Sequence, residues 1–243
     1  MLKNILITGG VKSGKSTLLR NLTGGIPQKT GFITAEISDG AGRIGFEMET
    51  SIGNKIALAH LNPETLHKVG RFFVNIPNLE SAVTEVSVFG NKDILYLDEI
   101  GQMQLFSEKF KKLVLKFLDS KNICLVTLSS IYQDDFIENI RKRDDVILVE
   151  ISAKNREEKR KFIEQLIAKI RKAQKYIAEP ERFTLRDGGV ELKSEHGIRK
   201  LVFKNGKWHC DCDFFQKYGI CSHSIAAEEY QEQGIIERPD LVF

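Results

Sequence analysis

Near its start the chain reads Gly9-Gly10-Val11-Lys12-Ser13-Gly14-Lys15-Ser16-Thr17, which fits the spacing G-x-x-x-x-G-K-[ST]. Glycines at this spacing let successive backbone N–H groups turn inward around phosphate oxygens. A helix opening at Lys15-Ser16 adds the positive end of its dipole. Lys15 is then placed to reach the β- and γ-phosphates of a nucleoside triphosphate, and the Ser16 hydroxyl to ligate Mg²⁺. Further on, the apolar run Ile94-Leu95-Tyr96-Leu97 leads into Asp98-Glu99. From the end of a strand beside the phosphate loop, Asp98 would orient the Mg²⁺ shell, and Glu99 would polarise a water for in-line attack on the γ-phosphate. An Asp-Glu pair at this point favours hydrolysis of ATP, GTP or a similar triphosphate. The alternatives are a kinase that passes the phosphoryl group to an acceptor, and a nucleotide-gated adaptor that hydrolyses slowly.

A second set of reactive residues lies near the other end. Cys210-x-Cys212, eight residues, then Cys221-x-His223 offer the four soft or borderline ligands that tetrahedral Zn²⁺ prefers. Four protein ligands leave no open position, so the metal would be structural. His209 should point away from Cys210, on the opposite face of its strand. Cys124, inside an apolar run, reads as a core residue, and His60, His67 and His196 have no partners at catalytic spacing.

These residues need elements to hold them. Asn4–Thr8, Asp93–Leu97, Asn122–Leu128 and Val146–Ile151 are short apolar runs with β-branched residues, as in parallel strands covered on both faces. Helical stretches at Ser16–Leu22, Leu79–Phe89, Ser107–Leu118 and Asp134–Lys142 alternate with them. The rhythm predicts a doubly wound α/β sheet. A hairpin, Phe32–Ser38 and Arg43–Glu49 around Asp39-Gly40-Ala41-Gly42, interrupts it. Lys154–Lys175 reads as a long helix with Phe162, Ile163, Leu166, Ile167 and Ile170 on one stripe. A linker is expected at Ala178-Glu179-Pro180-Glu181, dividing the chain into 1–176 and 182–243. The second part has short strands around Asp187-Gly188-Gly189 and Asn205-Gly206 turns, then a helix at Ser224–Gln231. It has too little apolar mass to fold without a staple.

The chain has 243 residues, 42% apolar and 28% charged, and a net charge of +3. That composition suits one full core plus a smaller unit. There is no apolar run long enough to span a bilayer and no leader pattern before the first strand, so a soluble, cytoplasmic protein is expected. Four cysteines, three of them within twelve residues, favour metal binding over a disulfide framework.

Taken together, residues 1–170 resemble the small P-loop nucleoside-triphosphatases first described in thermophiles, whose vertebrate member is called the cancer-related nucleoside triphosphatase. The resemblance rests on the P-loop, on Lys29-Thr30-Gly31-Phe32-Ile33-Thr34-Ala35-Glu36, and on Gly42-Arg43-Ile44-Gly45-Phe46. It continues through Val69-Gly70-Arg71-Phe72-Phe73-Val74, Asp98-Glu99-Ile100-Gly101-Gln102-Met103-Gln104, Ile140-Arg141-Lys142-Arg143 and Asn155-Arg156. It implies a RecA-like P-loop fold and slow hydrolysis of several triphosphates with little base selectivity. Gln102 and Gln104 depart from the Lys and Glu usual in that family stretch. Around residues 196–230, the C-x-C-x₈-C-x-H spacing with Trp208 just before it resembles the SWIM zinc finger, which implies a DNA, RNA or protein partner. A cation is also needed for charge developing at the γ-phosphate. Arg43, Arg71, Arg143 and Arg156 are the candidates, with Arg143 and Arg156 ranked first as the two nearest the expected active edge.

The charge distribution bears on the partner. Residues 180–243 hold nine Lys/Arg against eleven Asp/Glu, whereas 154–175 hold nine Lys/Arg against three Glu. If nucleic acid binds, the helix and the strip Arg199-Lys200-Lys204-Lys207 are expected to supply the phosphate contacts.

Overall fold

The computed structural model describes residues 1–62, 65–186 and 189–236. It divides into a compact unit Lys3–Lys161 and a second made of Met1–Leu2 with the chain from Phe162 onward.

The first unit is built on one nine-stranded sheet among the described residues: β1 Asn4–Thr8, β2 Lys29–Ser38, β3 Arg43–Thr50, β4 Lys55–His60, β5 Lys68–Val69, β6 Phe72–Val74, β7 Ile94–Ile100, β8 Cys124–Leu128 and β9 Val146–Glu150. Their order is β5-β6-β4-β3-β2-β7-β8-β1-β9. The run β2-β7-β8-β1-β9 is parallel, and β1 and β8 are buried along their whole length, as their apolar sequences require. The β2–β3 hairpin forms as expected, its turn held by Asp39 Oδ1 accepting from the Ala41 and Gly42 amides. It is no mere insertion, however. β2 is itself part of the parallel core, and β3 opens an antiparallel wing through β4, β6 and β5. Those short, half-buried strands lack the unbroken apolar runs that marked the others.

Among the described residues, four helices cover this sheet: α1 Lys15–Gly24, α2 Ile76–Glu85, α3 Glu108–Asp119 and α4 Asp135–Arg141. Asn75, Ser107 and Asp134 cap α2, α3 and α4 through their side chains. The Asn75 cap, with Pro77 in the first turn, starts α2 three residues before Leu79, and the helix ends before Phe89. Residue parity sorts the strands into two faces. Leu95, Leu97, Cys124, Val126 and Leu128 join a core with α2, α3 and α4. The alternate residues, Ile94, Tyr96, Leu125 and Thr127, point to the other face, where α1 packs on β2, β7 and β8.

At the amino edge of the sheet, Asp145 precedes β9 and Lys3 precedes β1. Asp145 accepts from Arg143 Nε and Nη2, both at 2.8 Å, from Lys3 Nζ at 3.0 Å and from Asn4 Nδ2 at 2.9 Å. Arg143 also pairs with Asp119 at 2.8 Å. Burial opposes the Asp145 charge, but the hydrogen bonds from Arg143 and Lys3 outweigh it and hold the carboxyl down at about 2. A carboxylate depressed in the folded state stabilises the fold above its unfolded value near pH 4. That contribution vanishes as the pH falls toward 2. Asp145→Asn is therefore expected to lower the unfolding free energy by about 2 kcal/mol at pH 7. The loss should shrink as the pH falls from 4 toward 2; urea titrations at both ends of that range check it.

The second unit takes in most of α5, Arg156–Ile177, whose buried stripe includes Ile163, Leu166, Ile167 and Ile170. After a 3₁₀ turn at Pro180–Arg182, four antiparallel strands follow in sequence order: β10 Phe183–Arg186, β11 Gly189–Ser194, β12 Gly197–Lys204 and β13 Lys207–Cys210. Asp187 and Gly188 of the expected turn lie outside the described residues, but Arg186 and Gly189 pair across it. Asn205 and Gly206, at φ 52° and 76°, make the two-residue hairpin turn that Asn-Gly favours. α6 Asp213–Tyr218 and α7 Ser222–Glu232 complete the unit. Its core gathers Trp208, Leu201, Ile225, Tyr230 and Tyr176, and the Tyr230 hydroxyl donates to the carbonyls of Tyr176 and Ile177 at 3.2 and 2.8 Å. The residues just before Ala178–Glu181 are thus tied to α7, and the unit begins upstream of that stretch, inside α5. Among the described residues, no helix is long and apolar enough to cross a membrane.

Candidate active site and metal centre

The loop between β1 and α1 carries the phosphate motif at the carboxyl edge of the parallel strands. Gly14, at φ 91°, is the N-cap of α1, and Gly9 leaves no room for a side chain: a Cβ there would lie 2.2 Å from the Ile151 carbonyl oxygen. These two positions require glycine. Ser13 Oγ is buried with no hydrogen-bond partner among the described residues. An orphaned buried hydroxyl in this loop suits a phosphate oxygen. Lys15 Nζ donates to the Gly9 carbonyl at 3.0 Å and stands 3.9 Å from Glu99 Oε2. Val11 is exposed, as are Gly10, Lys12 and Thr17.

Asp98 arrives from β7, which is separated from β1 by β8. It shares the parity of Ile94 and Tyr96, so its side chain leaves the sheet on the α1 face. There it is 2% exposed, and Ser16 and Thr127 hydrogen-bond its carboxylate, Thr127 Oγ1 to Oδ1 at 2.5 Å. Thr34 Oγ1 donates to the Asp98 carbonyl. Burial raises the Asp98 carboxyl above its ordinary value, against the hydrogen bonds from Thr127 and Ser16 and the charge of Lys15. The Asp98–Glu99 peptide is cis. Burial pushes the Glu99 carboxyl up to about 7, with Lys15 opposing and Asp98 adding to the rise. The Ser16 hydroxyl and the Asp98 carboxylate are hard oxygen donors already in contact, a pair that fits Mg²⁺.

The four arginine candidates separate. A Cβ on Gly14 would lie 2.3 Å from Arg156 Nη1, so Arg156, at the start of α5, lies against the phosphate loop. Arg143 does not. Held by Asp145 and Asp119 before β9, it stands at the amino edge, a five-residue strand or roughly 16 Å from the carboxyl edge. The expectation that it neighbours the γ-phosphate is corrected by the strand direction. Arg43 pairs with Glu36 at 2.5 Å and lies over the Phe46 ring, while Arg71 donates to the Arg43 carbonyl at 2.6 Å. Both are engaged within the antiparallel wing. Gln104 is 3% exposed in a 3₁₀ turn, where a neutral amide costs less to bury than a carboxylate, whereas Gln102 is exposed.

In the second unit, the ligand atoms of Cys210, Cys212, Cys221 and His223 all lie within 4.8 Å of one another, and all four residues are buried. His223 Nδ1 is 3.4 Å from Cys210 Sγ and 3.6 Å from Cys221 Sγ. That convergence of three thiols and an imidazole fits tetrahedral Zn²⁺. A hydrogen bond from Cys210, supported by His223 and the Ser224 amide, pulls the Cys221 thiol well below its ordinary value despite burial. His209 is exposed on the opposite face of β13 and packs on Phe215. Tyr176 stacks on the His223 ring at 5.7 Å.

Sequence reasoning missed Thr127, Thr34 and Tyr176. Thr127 sits in an apolar strand and reads as core; only the parity it shares with Leu125, facing the Asp98 side of the neighbouring strand, could have singled it out.

The pattern of the family described as NTPase matches residues 4–164, and that of the SWIM zinc finger matches residues 190–232. The chain is 37% identical over 158 residues to nucleoside-triphosphatase THEP1 of Thermotoga maritima, covering 63% of this chain and 88% of that protein. It is similar to the crystal structure of THEP1 from the hyperthermophile Aquifex aeolicus, with a TM-score of 0.57 and 29% identity, covering 68% of this chain and 98% of that one. The solution structure of a human cancer-related nucleoside triphosphatase also has a TM-score of 0.57, at 26% identity, covering 68% and 97%. The P-loop unit carries this likeness, and the zinc-finger match lies outside it.

Proposed function

This chain belongs to the nucleoside-triphosphatase family over residues 4–164, and we propose that it carries out Mg²⁺-dependent hydrolysis of several nucleoside triphosphates to diphosphate and phosphate with little selectivity for the base. The observation that supports this reading is the meeting of Lys15, Ser16, Asp98 and Glu99 at one loop, on elements distant in sequence.

The loop amides and Ser13 Oγ would hold the phosphate oxygens, and the Lys15 ammonium would offset charge on the β- and γ-phosphates. Ser16 and Asp98 would hold Mg²⁺, which would supply positive charge to offset that of the phosphates. Thr127 and Thr34 fix the direction of Asp98 from two neighbouring strands. Glu99 would take the proton of the attacking water as its oxygen bonds to the γ-phosphorus and the bond to the bridging oxygen breaks, with the diphosphate leaving. A carboxyl poised near 7 suits that task. Arg156 would meet the charge developing on the transferred group.

Phosphate release measured with ATP, GTP, CTP and UTP tests the reading: similar rates support it, and a phosphorylated acceptor in place of free phosphate would refute it. In the same assay Arg156→Ala is expected to lower kcat about 10²-fold, with KM little changed. Retention of most activity in Arg156→Lys would show that charge at this position is what counts. An unchanged kcat in Arg156→Ala would remove Arg156 from the site.

We further propose the functional division 1–176 and 182–243, with the end of α5 lending Tyr176 to the zinc unit. That unit recognises a macromolecular partner, its zinc serving as a staple. Four free cysteines, three of them converging as ligands, suit a reducing cytoplasm.

A further inference from the structure

The strands β11 and β13 alternate buried and more exposed residues, and the register carries the same two faces through β10 and β12. Val190, Leu192, Leu201, Trp208 and Cys210 are buried on one face. Arg186, Lys193, Lys200, Lys204 and Lys207 are exposed on the other, around Ile198 and Val202, which are 62% and 36% exposed. The cross-strand register joins them into one surface: Lys193 opposite Ile198, Lys204 opposite Lys207, and Gly189, Val202 and His209 in a row between. Glu191 is the one acid of this face among the described residues, and Arg186 Nε binds it at 3.0 Å. Other acids of the unit are engaged elsewhere. Glu229 and Glu232 pair with the amino terminus at 2.6 and 3.0 Å, Glu179 pairs with Arg182, and Glu195 pairs with Lys172 at 3.0 Å. Lys193, Lys200 and Lys204 make no ion pair among the described residues. A segment whose acids outnumber its bases therefore presents a sheet face of strongly positive charge.

The helix with the larger formal charge is less free. Arg156 lies against Gly14, Arg160 binds Glu157, Lys172 binds Glu195, and Lys169 sits over the Phe214 ring at 4.8 Å.

We propose that the outward face of β10–β13 binds the phosphate backbone of duplex DNA without sequence preference. The proposal rests on the reading of the zinc unit as a recognition module and names its partner. Lys200 and Lys204 stand about 13 Å apart along β12, and a duplex carries one charge per about 1.7 Å of its axis, so several phosphates meet the face at once. A single strand is the weaker match. Its exposed bases call for aromatic platforms, and the His209 ring on this face is turned against Phe215.

The test uses the full, zinc-loaded chain and a labelled DNA duplex of about 20 base pairs. Four lysines predict a slope of log K on log salt of about −3 to −4, so affinity should fall about 10²-fold between 50 and 200 mM salt. Reversing Lys193, Lys200 and Lys204 together to Glu should remove this binding, and the Gln variants should weaken it, with zinc content and triphosphate hydrolysis unchanged. Reversing Lys159, Arg171 and Lys175 on α5 should change affinity by no more than a few-fold. Duplex binding that survives the sheet reversals, or that the α5 reversals abolish, overturns the assignment to this face. Equal affinity for the single strand or for poly-glutamate of matched charge overturns the choice of duplex. Absence of salt-dependent binding to any nucleic acid overturns the nucleic-acid reading of the zinc unit as well.

Discussion

Glu99→Gln is expected to lower turnover about 10³-fold while nucleotide affinity stays within a few-fold of the parent, a barrier change of about 4 kcal/mol. The amide keeps the size and polarity of the side chain and cannot take a proton from water. Lys15 stands 3.9 Å from Glu99 Oε2 and hydrogen-bonds the Gly9 carbonyl. Losing the carboxylate therefore leaves the ammonium anchored for phosphate binding. Lys15→Ala provides the contrast, since affinity itself should then collapse. Equilibrium binding of a fluorescent triphosphate alongside single-turnover phosphate release separates the two outcomes. Hydrolysis by Glu99→Gln at the parent rate would show that another group activates the water.

Stripping the metal should have the largest effect on the fold. Chelation is expected to unfold the second unit while the P-loop unit stays folded and active, because zinc in small domains contributes about 10–16 kcal/mol and little else holds this core. Trp208 is the one tryptophan of the chain and is 1% exposed beside the cluster. Its emission therefore reports on this unit alone and should shift to the red on chelation. Tyr176 stacks on His223, so the disorder should reach the end of α5. Cys221→Ser should mimic chelation. A single melting transition that moved as a whole on zinc removal would show that the two halves share one core, and would refute the division between 1–176 and 182–243.

What could be read from the sequence was whatever neighbours along the chain decide. The phosphate loop is nine consecutive residues whose conformation is set by its own glycines, with a strand before and a helix after, and each is visible in the local pattern. The Cys210–His223 cluster is equally local, folded by one hairpin and one short helix, so spacing alone suggested its metal. The parallel strands β1, β7, β8 and β9 showed as short apolar runs, whereas parallel β2 read only as half of a hairpin. Tertiary structure decided what depends on direction and face. Arg143 and Arg156 look alike in sequence, but strand polarity sends one to the amino edge and the other to the phosphate loop. Thr127 reads as core until its parity sets it against Asp98. The short strands β4–β6 carry too little pattern of their own and are added one on another, β4 on β3, β6 on β4 and β5 on β6. Net charge per segment, finally, cannot say which face of a sheet a lysine occupies. Pleating sorts alternate residues to opposite sides, and folding gathered the cations of β10–β13 onto one of them, except Arg199, which lies opposite Leu192 on the other.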